Sequence, residues 1–169
     1  PDTYKLPRGL SPRQIARIMV KQFDRVWETR IAALARDSAL SKNEIVILAS
    51  IVEKETAASE ERPLIASVFL NRLGRGMRLE TDPTVIYGIP DFDGNLRKRH
   101  LNDASNPYNT YRIPGLPPGA IANPGAEALF AIVSPDSSEF LYFVSRNDGT
   151  HQFSPTYREH VNAVNRYQR

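Results

Sequence analysis

The stretch that decides the fold runs from Ser41 to Thr56 and reads SKNEIVILASIVEKET. Ser41 and Glu44 form a capping box, in which a serine and a glutamate three positions later satisfy backbone N–H groups at the start of a helix. The residues that follow are almost continuously apolar, yet the run is too short to span a bilayer. The pattern predicts a helix that packs into a globular core through Ile45, Leu48 and Val52.

Glu53 is a carboxylate near the end of this apolar run. A carboxyl group held against apolar surface resists ionisation, so its pKa rises. A carboxylic acid that stays protonated near neutral pH is what cleavage of a glycosidic bond requires. Glu55, two residues on, is expected to point to nearly the opposite side of the helix, so the two glutamates should not work as a pair. The residues expected on the face of Glu53 are small and leave room for a substrate: Ala49, Ser50, Thr56 and Ala57.

A second interpretation of Glu53 stays open at this point. An ordinary solvated glutamate in the last turn of a helix would give the same sequence pattern, because a perturbed carboxylate is not visible from residue type alone.

The composition is that of an ordinary globular domain. The chain has 169 residues, of which 41% are hydrophobic and 24% charged, and no linker divides it, so residues 1–169 are expected to form one domain. It contains no cysteine, which excludes disulfides and thiolate metal sites. Its three histidines, His100, His151 and His160, are widely spaced, so no metal site is expected. The sequence has no Gly-x-Gly-x-x-Gly or phosphate-loop pattern, and no cofactor is expected.

The net charge of +3 is mildly basic. Such an excess fits an anionic polymer and fits an ordinary solvated surface equally well. The one dense basic cluster, residues 97–100, is short and lacks interleaved aromatic residues, so no nucleic-acid partner is expected.

Periodicity and turn residues predict an α+β fold with a mainly helical core and a small antiparallel β element. The long segment from 77 to 124 is rich in Pro and Gly and lacks helical periodicity, so we expect an ordered, functional loop region. Helices besides that of Glu53 are expected at 11–37, 61–73, 124–133 and from 154 to the C-terminus, and strands near 84–87, 140–145 and 151–153.

Polar residues in and before the loop region are candidates for binding sugars. Asp82 precedes Pro83, which disfavours helix and predicts an extended segment that displays its side chains. Asn109, Thr110 and Tyr111 offer donors, acceptors and a stacking face on a stiff loop. Ordinary capped turns would explain the same residues.

Ordered blocks over nearly the whole chain resemble the endolytic murein transglycosylase family, called MltG or YceG-like. The blocks are LASIVEKET at 48–56, VFLNRL at 68–73, GMRLETDPTVIYG at 76–88, NTY at 109–111, GLPPG at 115–119 and GTHQFS at 149–154. No single block would identify the family, but the order of the blocks and their spread over the chain are specific to it. Glu80 departs from the family pattern, in which Gln is common.

The resemblance implies a lysozyme-like active-site arrangement in a catalytic domain that cuts peptidoglycan. Family members cleave the bond between N-acetylmuramic acid and N-acetylglucosamine inside nascent strands, leave 1,6-anhydro ends and terminate strand growth. They are anchored in the inner membrane and face the periplasm. An N-terminal membrane helix and a LysM-like subdomain normally precede the catalytic domain. Both are expected to be absent from this chain, which is expected to be soluble. Peptidoglycan synthases are possible partners.

By the same resemblance the catalytic glutamate maps to Glu53. The residues expected to hold the glycan are Asn71, Asp82, Asn109, Thr110 and Tyr111. Two alternatives remain: a hydrolytic muramidase that uses Asp82 or Glu80 as a second carboxylate, and a glycan-binding module without catalysis.

Overall fold

A computed structural model describes residues 1–168 of the chain. The fold is mainly helical with one small antiparallel sheet, which confirms the predicted α+β class. The helices are α1 (Pro12–Val26), α2 (Ala32–Ala35), α3 (Lys42–Glu55), α4 (Arg62–Gly74), α5 (Asp82–Tyr87), α6 (Lys98–Asn102), α7 (Ala126–Val133) and α8 (Tyr157–Tyr167), and the strands are β1 (Tyr142–Ser145) and β2 (His151–Ser154).

Helix α3 is the centre of the core, as its sequence predicts. The Ser41 N–H donates to Glu44 Oε2 at 2.8 Å, and the Glu44 N–H donates back to Ser41 Oγ at 3.3 Å, so the capping box is formed. Leu48 and Val52 are fully buried and pack with residues of α4 and α7. Burial of each such side chain contributes about 1.5–3 kcal/mol, so these contacts fix α3 firmly.

The helix predicted from 11 to about 37 is present but irregular. Helix α1 and helix α2 are joined by one π-helical turn, Trp27–Ile31. The turn carries the two buried residues of this region, Trp27 and Ile31. The wider turn directs both side chains into the core, whereas no residue of α1 is fully buried.

The two strands form an antiparallel pair in which Tyr142 is opposite Ser154 and Ser145 is opposite His151. The predicted strands near 140–145 and 151–153 are therefore confirmed. The strand predicted near 84–87 is wrong, because these residues belong to α5. Thr81 caps α5 in an extended conformation, and Pro83 lies in its first turn, where a missing N–H breaks no helical bond.

The segment from 77 to 124 is held by buried polar side chains rather than by long elements. Asn106 donates to the Val85 carbonyl at 3.0 Å and accepts from the Tyr108 N–H at 2.9 Å. Gly88 allows this approach, since a Cβ at Gly88 would lie 2.6 Å from Asn106 Cγ. Within residues 1–168, no helix has the length and apolar character needed to cross a membrane.

Candidate functional site

A groove of about 480 Å³ opens where the C-terminal end of α3 meets the β-hairpin. Its walls come from six separate parts of the chain: α3, α4, the segment before α5, the loop at 111, the hairpin and α8. Its charged, hydroxyl and imidazole-bearing lining includes Glu55, Arg72, Glu80, Thr81, Asp82, Tyr111, Tyr142, His151, Tyr157 and His160.

Glu55, the last residue of α3, is the carboxylate at the inner end of this groove. Thr81 Oγ1 donates a hydrogen bond to Glu55 Oε1. The pKa of Glu55 is raised from 4.5 to about 7, chiefly by burial and further by the charge of Asp82. The Thr81 bond and the charge of His151 act in the opposite direction. A large share of Glu55 is therefore protonated at neutral pH.

Thr81 is held rigidly because three buried threonines bond to one another. The Thr81 N–H donates to Thr110 Oγ1 at 3.1 Å. Thr84 Oγ1 donates to the Thr81 carbonyl at 2.8 Å and lies 2.8 Å from Thr110 Oγ1. These bonds fix the hydroxyl that orients the carboxyl of Glu55.

Glu53 lies on the other side of the α3 end, away from the groove. Its Oε2 accepts from the Gly125 N–H at 3.0 Å, and its Oε1 is 3.7 Å from Arg62 Nη2. Gly125 caps the N-terminus of α7, where a negative charge is favourable. Glu53 thus ties α3, α4 and α7 together. The two glutamates diverge, as the helical period predicts, and Glu55 rather than Glu53 lines this groove. A catalytic role for Glu53 stays a prediction.

Of the five residues expected to hold the glycan, Asp82 and Tyr111 line the groove. The Tyr111 hydroxyl donates to Asp82 Oδ1 at 2.7 Å. Burial, together with this bond and nearby carboxylates, raises the pKa of Tyr111, so its hydroxyl stays protonated as a donor. The expectation that Asp82 is displayed from extended backbone is corrected, since it is the first residue of α5.

Asn71, Asn109 and Thr110 do not line the groove, and their polar groups make hydrogen bonds within the protein. Asn71 Nδ2 donates to the carbonyls of Ser138 and Phe140 at 2.8 and 3.0 Å. Asn109 is fully buried, and its Nδ2 donates to three carbonyls of residues 100–103. Thr110 is fully buried in the threonine network. Each holds the walls of the groove in position.

Arg72 is a groove residue that sequence reasoning missed. Its Nε donates to the Arg78 carbonyl at 2.7 Å and its Nη1 to the Leu141 carbonyl at 3.1 Å, and its Nη2 pairs with Glu80. The backbone of Glu80 has a φ of 53°, an uncommon value for a residue other than Gly. The available signal was its position on α4, since Arg72 lies four residues after Val68 and three after Phe69 and so continues the buried face of that helix.

The sequence of this chain is similar to those of known proteins. A sequence profile of the YceG-like family matches residues 1–166. The chain is 36% identical over 168 residues to the endolytic murein transglycosylase of Bacillus subtilis (strain 168), covering 99% of this chain and 46% of that protein. It is 30% identical over 149 residues to the endolytic murein transglycosylase of Streptococcus pneumoniae serotype 2, covering 86% of this chain and 27% of that protein.

A solved structure is also similar. The crystal structure of a YceG-like protein from Listeria monocytogenes superposes with a TM-score of 0.83 at 36% identity, covering 95% of this chain and 51% of that one. The chain thus spans about half the length, or less, of the relatives that it matches. Because the profile and the alignments extend over nearly all of its residues, the chain belongs to the YceG-like family.

Proposed function

We propose that this chain is a lytic transglycosylase domain that cleaves glycan strands of peptidoglycan, with Glu55 as its general acid. The observation that carries the proposal is the Glu55 carboxyl, which lies in an open groove with a pKa of about 7. An acid works best when its pKa lies near the working pH, and glycosidic cleavage needs such an acid at the leaving oxygen. The names of the relatives from Bacillus and Streptococcus support the substrate class.

Glu55 serves as both acid and base in the proposed reaction. Its proton passes to the glycosidic oxygen between N-acetylmuramic acid and N-acetylglucosamine, while the bond from C1 to that oxygen breaks. The carboxylate then takes the proton of the C6 hydroxyl of the same muramic acid, whose oxygen forms a bond to C1. The products are a 1,6-anhydro end and a free N-acetylglucosamine hydroxyl, and no water is consumed.

The surrounding residues prepare this chemistry. Thr81 holds the carboxyl in one orientation, and the Tyr111–Asp82 pair presents polar atoms to a sugar. The exposed ring of Tyr157 offers an apolar face on which a sugar ring can rest. Glu53 is the acid predicted from the sequence, but its hydrogen bond from the Gly125 N–H and its ion pair with Arg62 favour a structural role.

The cellular setting rests on the family resemblance. We infer cleavage within nascent strands that terminates their growth, at the periplasmic face of the inner membrane, with peptidoglycan synthases as partners. Membrane attachment would come from an anchor preceding this domain in the full-length protein.

Mass spectrometry of purified glycan strands incubated with the wild type, Glu55→Gln and Glu53→Gln tests the proposal. The two substitutions are matched, because both remove a carboxyl from the same end of α3. We expect anhydro-ended fragments from the wild type and Glu53→Gln, and a loss of at least about 100-fold in Glu55→Gln.

Other outcomes would point elsewhere. Cleavage that survives in Glu55→Gln and disappears in Glu53→Gln would restore Glu53 as the acid. Reducing-end fragments would indicate a hydrolase. The candidate for its second carboxylate is then Asp82, whose charge acts on Glu55 and adds to the rise in pKa that burial causes. Binding of strands without any cleavage would indicate a glycan-binding module.

A further inference from the structure

His151 is held in the groove wall by a carboxylate from a distant part of the chain. Glu61 Oε1 accepts from the His151 backbone N–H at 2.9 Å, and Glu61 Oε2 lies 2.6 Å from His151 Nδ1. The side chains are 12% exposed for His151 and 14% for Glu61, so solvent screens the contact little. Glu61 therefore fixes both the position of the strand end and the plane of the ring.

The second ring nitrogen of His151, Nε2, is available to a partner other than Glu61. A carboxylate only accepts hydrogen bonds, so Nδ1 carries a proton and the chemistry of the ring is left to Nε2. Within residues 1–168 the buried side-chain nitrogen and oxygen atoms without a partner are Arg62 Nε and His160 Nδ1. The Nε2 of His151 makes no protein hydrogen bond and is not one of them, so it is open to solvent.

The other two carboxylates of the groove already have partners: Glu80 has a cation and Asp82 a hydroxyl donor. Arg72 pairs with Glu80, and Asp82 accepts from the Tyr111 hydroxyl. Glu55 has the Thr81 hydroxyl but no cation within salt-bridge distance among the described residues. The titratable and charged groups that line this space are Glu55, Arg72, Glu80, Asp82, Tyr111, Tyr142, His151, Tyr157 and His160, and Glu61 contacts His151.

We propose that His151, oriented by Glu61, is a positioning residue whose imidazolium stabilises the Glu55 carboxylate formed when the proton leaves. This inference rests on the proposed role of Glu55. The carboxylate forms in a half-buried position, where a fixed positive charge is worth more than in water. The charge of His151 does lower the pKa of Glu55, against the larger effect of burial.

A purely structural role for the pair makes a different prediction. If Glu61 only fastens β2 to the turn before α4, replacement of His151 changes stability but leaves the titration of Glu55 unaltered. If His151 stabilises the carboxylate, its loss raises the pKa of Glu55 and slows cleavage.

The test is an NMR titration of the ¹³C-labelled Glu55 carboxyl in the wild type, His151→Gln and Glu61→Gln. His100→Gln is the matched control, because His100 lies on α6 and does not line the groove. We expect the Glu55 pKa to rise in both groove variants and not in the control. We also expect kcat/KM on glycan strands to fall about 10- to 100-fold and its alkaline limb to move to higher pH.

An unchanged Glu55 titration in both groove variants would overturn the proposal and leave the pair as a structural tie. Glu61→Gln keeps an oxygen for the His151 backbone N–H, so it should fold even if His151→Gln does not. The titration is independent of turnover. Failure of Glu55 as the acid would show as cleavage that survives Glu55→Gln, whereas failure of this inference would show in the titration alone.

Discussion

Replacement of Glu55 by Gln should stabilise the protein at alkaline pH and much less at acidic pH. The pKa of Glu55 rises from 4.5 in an unfolded chain to about 7 in the fold, chiefly because of burial. The folded state therefore holds this proton more tightly than the unfolded state does. Between these two pKa values, stability falls as the pH rises, and above the folded pKa the loss is complete.

The magnitude follows from the shift. Each pKa unit corresponds to about 1.4 kcal/mol, so the full loss is about 3 kcal/mol, of which less than about 1 kcal/mol is already present at pH 5. Gln has a similar shape and no charge to bury. Relative to wild type, Glu55→Gln should therefore gain about 2 to 3 kcal/mol in unfolding free energy between pH 5 and pH 8.

Urea denaturation of both proteins at pH 5 and pH 8 measures this difference, because the other titrating groups cancel between wild type and variant. Glu53→Gln is the control: it keeps an acceptor for the Gly125 N–H, loses the charge facing Arg62 and should not gain stability as the pH rises. A difference between Glu55→Gln and wild type that is the same at both pH values would refute the reasoning.

Three further changes test the support of the site. Thr81→Val removes the hydrogen bond that lowers the pKa of Glu55, so the alkaline limb of kcat/KM should move to higher pH, and Thr81→Ser should restore it. Gly88→Ala forces a Cβ against the carboxamide of Asn106 and should lower the unfolding free energy by about 1–3 kcal/mol in urea titrations, with kcat lowered only if the groove shifts. Asn109→Ala leaves buried carbonyls without a donor and should cost about 1–3 kcal/mol in the same assay; an unchanged stability with a raised KM would instead support the predicted contact with the glycan.

Helices α1 and α3 were predictable because each carries its own start signal. Capping boxes at Ser11 and Ser41 mark the first residues of α1 and α3, and both boxes are formed in the structure. The hairpin was predictable from the apolar and aromatic run at 140–144 and the turn through Gly149. Helix α5 was missed, since six residues around a proline carry too little periodicity to distinguish a helix from a strand.

The choice between Glu53 and Glu55 shows where sequence reasoning ends. The helical period alone establishes that the two side chains diverge. Which of them meets the groove depends on Thr81 and His151 on one side and on Gly125 on the other, all remote in the chain.

The sequence by itself determined the class of fold, the position of α3 and the presence of a glutamate pair at its end, because these depend on local propensity and on burial of an apolar face. The tertiary structure decided which carboxyl is desolvated, which asparagines bind backbone and which histidine faces the acid. The contact of Thr81 with Glu55 and that of Glu61 with His151 join residues 26 and 90 positions apart in the chain, and no local pattern records that proximity.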